Sequence, residues 1–150
     1  MLELNAELWD LYDKGETICI TTNGAVNRNG ECVMGRGCAA QAKRRFPKLA
    51  AQLGTKVRLS GNYPMYFGEY GLFTFPVKHS WEQPADLKLI AQSAEILAAM
   101  REDIGVDMIR DVYLPRPGCG NGKLKWEDVK PWLEPYGDWL VVVDNGKGGK

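Results

Sequence analysis

Two glycine-rich loops hold the residues of this chain whose types and spacing best suit chemistry. One is VMGRGC at residues 33–38, the other is PRPGCGNGK at 115–123, and each lies between a strand-like and a helix-like run. Backbone amides in such loops, together with a helix N-terminus, bind phosphate oxygens. If parallel strands bring both loops to one edge of a sheet, the pair suits a ligand with two phosphates, or with one phosphate joined to a sugar.

Lys78 and His79 lie between the two loops, where a strand-like run passes into the polar and aromatic residues of FPVKHSWEQPADL. A partly desolvated lysine at a strand end has a lowered pKa, and its amine could attack an electrophilic carbon or its ammonium could stabilise a leaving oxygen. A solvated surface charge is the alternative. A lone histidine is more often a structural residue than a catalytic base.

The glycine spacing disfavours two common nucleotide sites. It matches neither GxGxxG at the start of a βαβ unit nor GxxxxGK[ST], because Leu124 follows the lysine of the second loop. Arg36, between Gly35 and Gly37, either caps a phosphate or projects into solvent.

Four cysteines and one histidine do not predict a metal site. Cys19, Cys32, Cys38 and Cys119 contain no CxxC pair, so we interpret them as reduced and mostly buried thiols. Cys38 and Cys119 lie inside the glycine loops, where a helix N-terminus could activate a thiol. With no histidine nearby in the sequence, we predict that both cysteines serve packing.

Alternating strands and helices must position these loops. Apolar β-branched runs predict strands, and apolar residues at helical spacing predict amphipathic helices. The predicted strands are 17–22, 63–67, 72–77, 109–114 and 139–143, and the predicted helices are 37–53, 84–102 and 126–136. Pro47 splits the first helix at Phe46, and GEYG makes a hairpin of two strands. The pattern predicts an α/β fold, a three-layer α/β/α sandwich with a mixed, mostly parallel central sheet.

Composition predicts one domain at residues 1–145 and a disordered GKGGK tail at 146–150. The chain has 150 residues, is 45% hydrophobic, and carries 19 basic and 19 acidic residues, so bulk basicity for nucleic-acid binding is absent. It shows neither a leader-like N-terminus nor an apolar stretch of membrane-spanning length. We therefore expect a cytoplasmic monomer with no membrane or metal partner.

Three motifs together resemble a macro domain, the ADP-ribose-binding fold. They are ITTNG followed by VMGRGCAAQAKRRFP, then FPVKHSW with PADL, then LPRPGCGNGKLKWEDVKPWLE, and they cover about residues 7–143. Within this fold the chain is most similar to the branch that contains the terminal ADP-ribose protein glycohydrolase and the DNA ADP-ribosyl glycohydrolase antitoxins.

The resemblance implies a position for each part of ADP-ribose. Glu7 would contact adenine, Asn23 and the first loop would contact the distal ribose and a phosphate, and the second loop would enclose the diphosphate. Lys78 matches the catalytic lysine that this branch uses near C1″ of the distal ribose. The full set of implied ligand contacts is Glu7, Leu8, Asn23, Met34, Gly35, Arg36, Gly37, Pro117, Gly118, Cys119, Gly120, Asn121, Gly122 and Asn145.

Two departures from the family pattern bear on mechanism. The protein-directed glycohydrolase has an aspartate where this chain has Gly122, so a lysine-led mechanism resembles the DNA-directed members more. The segment GAVNRNGEC is extra sequence, either a lid over the distal ribose or a surface excursion.

The function that the resemblance implies is recognition of ADP-ribose and its hydrolytic removal from modified DNA or protein. ADP-ribose is then ligand or product, and no cofactor is expected. The alternatives are a binding module without chemistry and a phosphatase acting on ADP-ribose 1″-phosphate.

Overall fold

The computed structural model of the chain describes residues 1–145. Its strands are β1 (Glu3–Asn5), β2 (Thr17–Asn23), β3 (Tyr66–Phe67), β4 (Leu72–Lys78), β5 (Val112–Pro115) and β6 (Leu140–Asp144). Its helices are α1 (Leu8–Asp13), α2 (Gly37–Arg45), α3 (Leu49–Ser60), α4 (Leu87–Ile104) and α5 (Trp126–Leu133), with a short 3₁₀ helix at Glu134–Tyr136.

A single six-stranded sheet runs through the described residues in the order β1-β6-β5-β2-β4-β3. The first five strands in this order, β1, β6, β5, β2 and β4, are parallel to one another. Strand β3 pairs antiparallel with β4. The carboxyl ends of five strands therefore meet at one edge, which is where open α/β sheets bind ligands.

Apolar side chains on the two faces of the sheet form two cores. Ile18 and Ile20 of β2 pack with α1, α2 and α3, whereas Cys19 between them packs with α4 and α5. This alternation follows from the two-residue period of a strand. Helices thus cover both faces, and the predicted three-layer α/β/α sandwich is confirmed.

Proline ends the first predicted helix as expected. α2 stops at Arg45 before Pro47, and α3 starts at Leu49. The prediction ended this second helix at residue 53, but α3 continues to Ser60 and stops where Gly61 takes φ 96°. Most residues of the last two turns are exposed, so the apolar period fades before the helix ends.

The structure differs from the sequence prediction at several element ends. It adds β1 and α1, to which the pattern assigned nothing. Helix α4 begins at Leu87 instead of residue 84, because the Asp86 carboxylate accepts the amide of Lys88 at 3.0 Å and caps the helix there. The last predicted helix is divided into α5 and the 3₁₀ helix.

Residues 24–32, the extra segment, form a surface excursion that packs on α3. The Cys32 amide donates to the Ala50 carbonyl at 2.9 Å, and Arg58 Nη2 donates to the Asn27 carbonyl at 3.1 Å. A Cβ atom on Gly54 would lie 2.0 Å from the Gly30 carbonyl oxygen, so the contact requires glycine. None of these nine residues lines the cleft described below, which excludes the lid alternative for this conformation.

The predicted tail, residues 146–150, lies outside the described residues. Within residues 1–145, every helix is too short or too polar to cross a bilayer.

Candidate functional site

A cleft of about 720 Å³ opens at the carboxyl ends of the parallel strands. Its wall contains Glu7 after β1, Asp144 of β6, Arg116 after β5, Asn23 of β2 and Lys78 of β4. The strand order therefore spreads these side chains along one line, from Glu7 at one end to Lys78 at the other. Such a volume is typical of small-molecule sites.

The first glycine loop runs directly into helix α2 at the floor of the cleft. Asn23 fixes it to β2, since its Nδ2 donates to the Val33 carbonyl at 3.0 Å and its Oδ1 accepts from the Ala25 amide at 2.9 Å. Helix α2 has no side-chain cap and no acidic residue in its first turn. The positive end of the helix dipole therefore favours an anion at this turn.

The second glycine loop is closed on itself and on Ala85, two residues before α4. The Leu124 amide donates to the Gly118 carbonyl at 2.9 Å, and the Ala85 amide donates to the Gly122 carbonyl at 3.0 Å. Gly118 takes φ 76°, a conformation that favours glycine. Three residues separate Gly122 from the start of α5, so this loop, unlike the first, does not run straight into its helix.

Lys78 is aimed into the cleft by an irregularity in the sheet. Thr22 pairs with Pro76 and the next residue, Asn23, pairs with Lys78, so the register shifts by one residue at the strand end. Such bulges redirect side chains next to functional sites. The Lys78 carbonyl accepts from Asn62 Nδ2 at 2.9 Å, which fixes the backbone at the shift.

The Lys78 amine lies among other cations. Its pKa is lowered by partial burial first, and then by the nearby Arg36 and Lys123. Nζ donates to the Trp81 carbonyl at 3.3 Å. A lysine of lowered pKa in a cleft is a candidate nucleophile or acid, because more of it can be neutral near physiological pH.

The opposite end of the cleft is built around Arg116. Its Nη2 lies 3.6 Å from Glu3 Oε1 and its Nη1 lies 3.5 Å from Asp144 Oδ2, while the guanidinium covers the Trp126 ring at 5.2 Å. Lys130 Nζ also pairs with Glu3, at 2.7 Å. Arg116 Nε is buried without a hydrogen-bond partner.

The loop cysteines are not activated thiols. Burial raises the pKa of Cys38 despite its place at the start of α2, and Cys38 Sγ accepts the Thr21 amide at 3.3 Å. Burial raises the pKa of Cys119 to about 11. Within residues 1–145, no three His, Cys, Asp or Glu side chains are grouped to hold a metal ion.

The cleft brings together nearly all the residues that the sequence predicts to be catalytic or ligand-binding. Of the fifteen catalytic and ligand-binding candidates, Pro117 alone does not line it, because it is buried under the second loop, where its carbonyl accepts the Cys119 thiol. Sequence reasoning did not select the cleft residues Trp9, Gln41, Arg116, Trp126 and Asp144. A signal existed for Arg116, an arginine between two prolines at a strand end.

Known proteins are similar in sequence to this chain over most of its length. No protein-family profile matches the chain. A DNA ADP-ribosyl glycohydrolase of Mycobacterium tuberculosis is 32% identical over 145 residues, which cover 89% of this chain and 40% of that protein. The DNA ADP-ribosyl glycohydrolase of Thermus aquaticus is 30% identical over 123 residues, or 75% and 33% of the two chains. The chain thus spans less than half the length of these relatives.

Solved structures share the fold over whole domains. The macrodomain of Mycobacterium tuberculosis DarG matches with a TM-score of 0.73 and 25% identity, covering 95% of this chain and 96% of that one. The chain is a macro domain. The macrodomain of Thermus aquaticus DarG also matches, with a TM-score of 0.70, 25% identity and 95% coverage of both chains. The resemblance seen in the sequence, including its DNA-directed branch, is confirmed.

A third structural neighbour of this macro domain was solved with ADP-ribose bound. Thermosipho africanus DarTG in complex with ADP-ribose has a TM-score of 0.67 and 20% identity, and the match covers 88% of this chain and 39% of that one. At this identity the match carries the fold alone.

Proposed function

We propose that this macro domain binds ADP-ribose and removes it hydrolytically from DNA. The observation that carries the proposal is one cleft that contains both glycine loops and ends at Lys78. The names of the two curated relatives support DNA over protein as the acceptor. A monomeric, cytoplasmic protein is the state that we predict for this activity.

The ligand fits the cleft in one direction. The diphosphate would lie between the two loops, where the positive end of the α2 dipole, at its uncapped first turn, favours negative charge. Adenine would lie at the Glu7 end, and the distal ribose at the Lys78 end. In this direction C1″, the carbon that joins the sugar to its acceptor, reaches the only end where Lys78, Arg36 and Lys123 come together among the described residues.

Hydrolysis at C1″ breaks the bond between that carbon and the acceptor atom. Water supplies the hydroxyl group that C1″ keeps, and the acceptor leaves with a proton. Lys78 either attacks C1″ as the amine, to be displaced later by water, or donates its proton to the leaving atom as the ammonium. The two loops contribute by holding C1″ against Nζ.

A binding module without chemistry is the second candidate, and the placement of carboxylates favours it. Of the residues that line the described cleft, Glu7 and Asp144 are the carboxylic acids. Asp144 is on β6 and Lys78 is on β4, three strand spacings apart, or about 14 Å. A lysine and carboxylate pair acting together at C1″ is therefore not available.

A substrate panel tests the proposal. The purified protein is incubated with ADP-ribosylated single-stranded DNA and with proteins ADP-ribosylated on aspartate, glutamate or serine, and free ADP-ribose is measured by chromatography. We expect release from DNA, and a rise in melting temperature with free ADP-ribose. A thermal shift without release from any substrate supports the binding module, and no shift at millimolar ADP-ribose contradicts both functions.

A further inference from the structure

Trp81 is a large apolar side chain that faces water at the mouth of the cleft. It is 54% exposed, and it lines the cleft beside Lys78. An indole ring gains stability from burial, so its exposure at this point leaves a surface free to cover something that arrives with the substrate.

The loop that carries Trp81 is held in place. Asp86 accepts from His79 Nε2 at 2.8 Å and caps α4, which closes the loop at its base. At its tip the Gln83 amide donates to the Ser80 carbonyl at 3.2 Å. The backbone carbonyl of Trp81 accepts a hydrogen bond from Lys78 Nζ. The residue that carries the indole ring therefore also contacts the amine at the reaction centre.

The same end of the cleft is positively charged. Arg36 and Lys123 are close enough to lower the pKa of Lys78, whereas of the two cleft carboxylates Glu7 follows β1 and Asp144 belongs to β6. Glu82 is next to Trp81 in the sequence, but its carboxylate accepts the Ser80 hydroxyl at 2.6 Å and does not line the cleft. An aromatic ring bordered by cations is how proteins hold single-stranded nucleic acid, since the ring stacks on a base and the cations bind phosphates.

We propose that Trp81 stacks on the nucleobase that carries ADP-ribose, while Arg36 and Lys123 hold the strand phosphates beside it. This inference rests on the proposed function and adds the site for the acceptor. Because a base must be unpaired to lie against an indole, a single-stranded oligonucleotide is the probe that tests this contact. Stacking also holds the bond at C1″ in line with Lys78.

Kinetics on an ADP-ribosylated single-stranded oligonucleotide test this contact. For Trp81→Ala we expect KM to rise about tenfold, as loss of one base–aromatic stack implies, with a much smaller change in kcat. Trp81→Phe keeps a ring and should recover most of the loss. Trp132→Ala is the matched control, because Trp132 is 52% exposed on α5 and does not line the cleft.

A binding measurement separates this inference from the proposed function. The Kd of the modified oligonucleotide and of free ADP-ribose are measured for the wild type and for Trp81→Ala. If the oligonucleotide advantage falls about tenfold in Trp81→Ala but nothing is hydrolysed, the stacking site stands and the hydrolase proposal fails. If hydrolysis proceeds and neither KM nor Kd of the oligonucleotide changes in Trp81→Ala, the stacking site is wrong. Cleavage of modified protein alone overturns it too.

Discussion

Gly122 lies against the carbonyl oxygen of Gly118, and this contact leaves no room for a side chain. A Cβ atom on Gly122 would be 2.5 Å from that oxygen and 2.7 Å from the Ala85 Cβ. Atoms this close must shift, and the backbone of a closed loop shifts at a cost. The absence of the loop aspartate of the protein-directed glycohydrolase is therefore a property of how this loop folds.

Replacement of two glycines separates loop stability from ligand binding. We expect Gly122→Ala, and more so Gly122→Asp, to lower the free energy of unfolding by about 1–3 kcal/mol through overpacking. Gly35→Ala is the control, because a Cβ there has no neighbour within 4 Å and should leave the melting temperature unchanged. Its methyl group would instead obstruct the ligand and weaken ADP-ribose binding. Thermal unfolding and calorimetric titration check both, and a stable Gly122→Asp protein with higher activity contradicts this account.

Lys78→Ala should separate binding from catalysis. We expect ADP-ribose to raise the melting temperature of the variant as in the wild type, because both glycine loops remain. Release of ADP-ribose from DNA should fall by about 10²–10⁴-fold, the usual contribution of a general acid or base. Lys88→Ala, on the first turn of α4 and outside the cleft, is the matched control. Equal rates in the wild type and Lys78→Ala would remove Lys78 from the mechanism.

Cys38→Ala should keep the activity. Burial keeps the Cys38 thiol protonated, and the sulfur accepts the Thr21 amide at the floor of the cleft. We expect kcat within about threefold of the wild type, and slow alkylation of the native protein by iodoacetamide at pH 8. Mass spectrometry after alkylation identifies the modified cysteine. Rapid labelling of Cys38, with loss of release in Cys38→Ala, would instead indicate a thiol nucleophile.

The parts of the fold that sequence reasoning predicted are those where several residues repeat one signal. Strands β4 and β6 are nearly continuous apolar runs, and Pro47 separates two helices, as its missing amide hydrogen and fixed φ predict. Strand β1 has three residues and α1 has six, which is too short for a period to be recognised. Strand β1 forms by pairing with β6, more than a hundred residues away.

The candidate site also has parts that the sequence predicts and parts that only the fold brings together. The two loops and Lys78 are visible in the sequence because their glycines are clustered and the family motifs are local. Arg116 shows in the sequence only as an arginine between two prolines, and Trp126 gives no signal. Their contacts with Glu3 require the folded position of β1, where Trp126 Nε1 donates to Glu3 Oε1 at 2.9 Å. The restriction at Gly122 is also invisible in the sequence, since it requires the positions of Gly118 and Ala85.

Glu3→Gln should weaken the fold in a pH-dependent way. The hydrogen bond from Lys130 lowers the pKa of Glu3, with further help from Trp126 and Arg116. A carboxyl group whose pKa is lowered by folding stabilises the protein above its unfolded pKa, and this stabilisation is lost as the pH falls through the folded value. We expect a loss of about 1 kcal/mol at pH 7, because the pair is partly exposed. Urea unfolding at pH 7 and pH 3 should show a smaller difference in acid, and Glu95→Gln, exposed on α4, is the matched control at pH 7.

The pH dependence of kcat should report Lys78 and respond to its neighbours. Burial, Arg36 and Lys123 lower the pKa of Lys78, so we expect a limb of the profile below 10.5, the ordinary value for lysine. A limb that rises with pH assigns attack by the neutral amine, and one that falls assigns proton donation by the ammonium.

Lys123→Asn tests the origin of that limb. Lys123 has φ 67°, a conformation that asparagine also tolerates, so the substitution removes the charge and keeps the loop. Loss of a neighbouring cation makes protonation of Lys78 easier, which raises the pKa of Lys78 and moves the limb to higher pH. Lys88→Gln should leave the limb in place. A limb that stays in place in Lys123→Asn, or that moves to lower pH, would show that another group titrates.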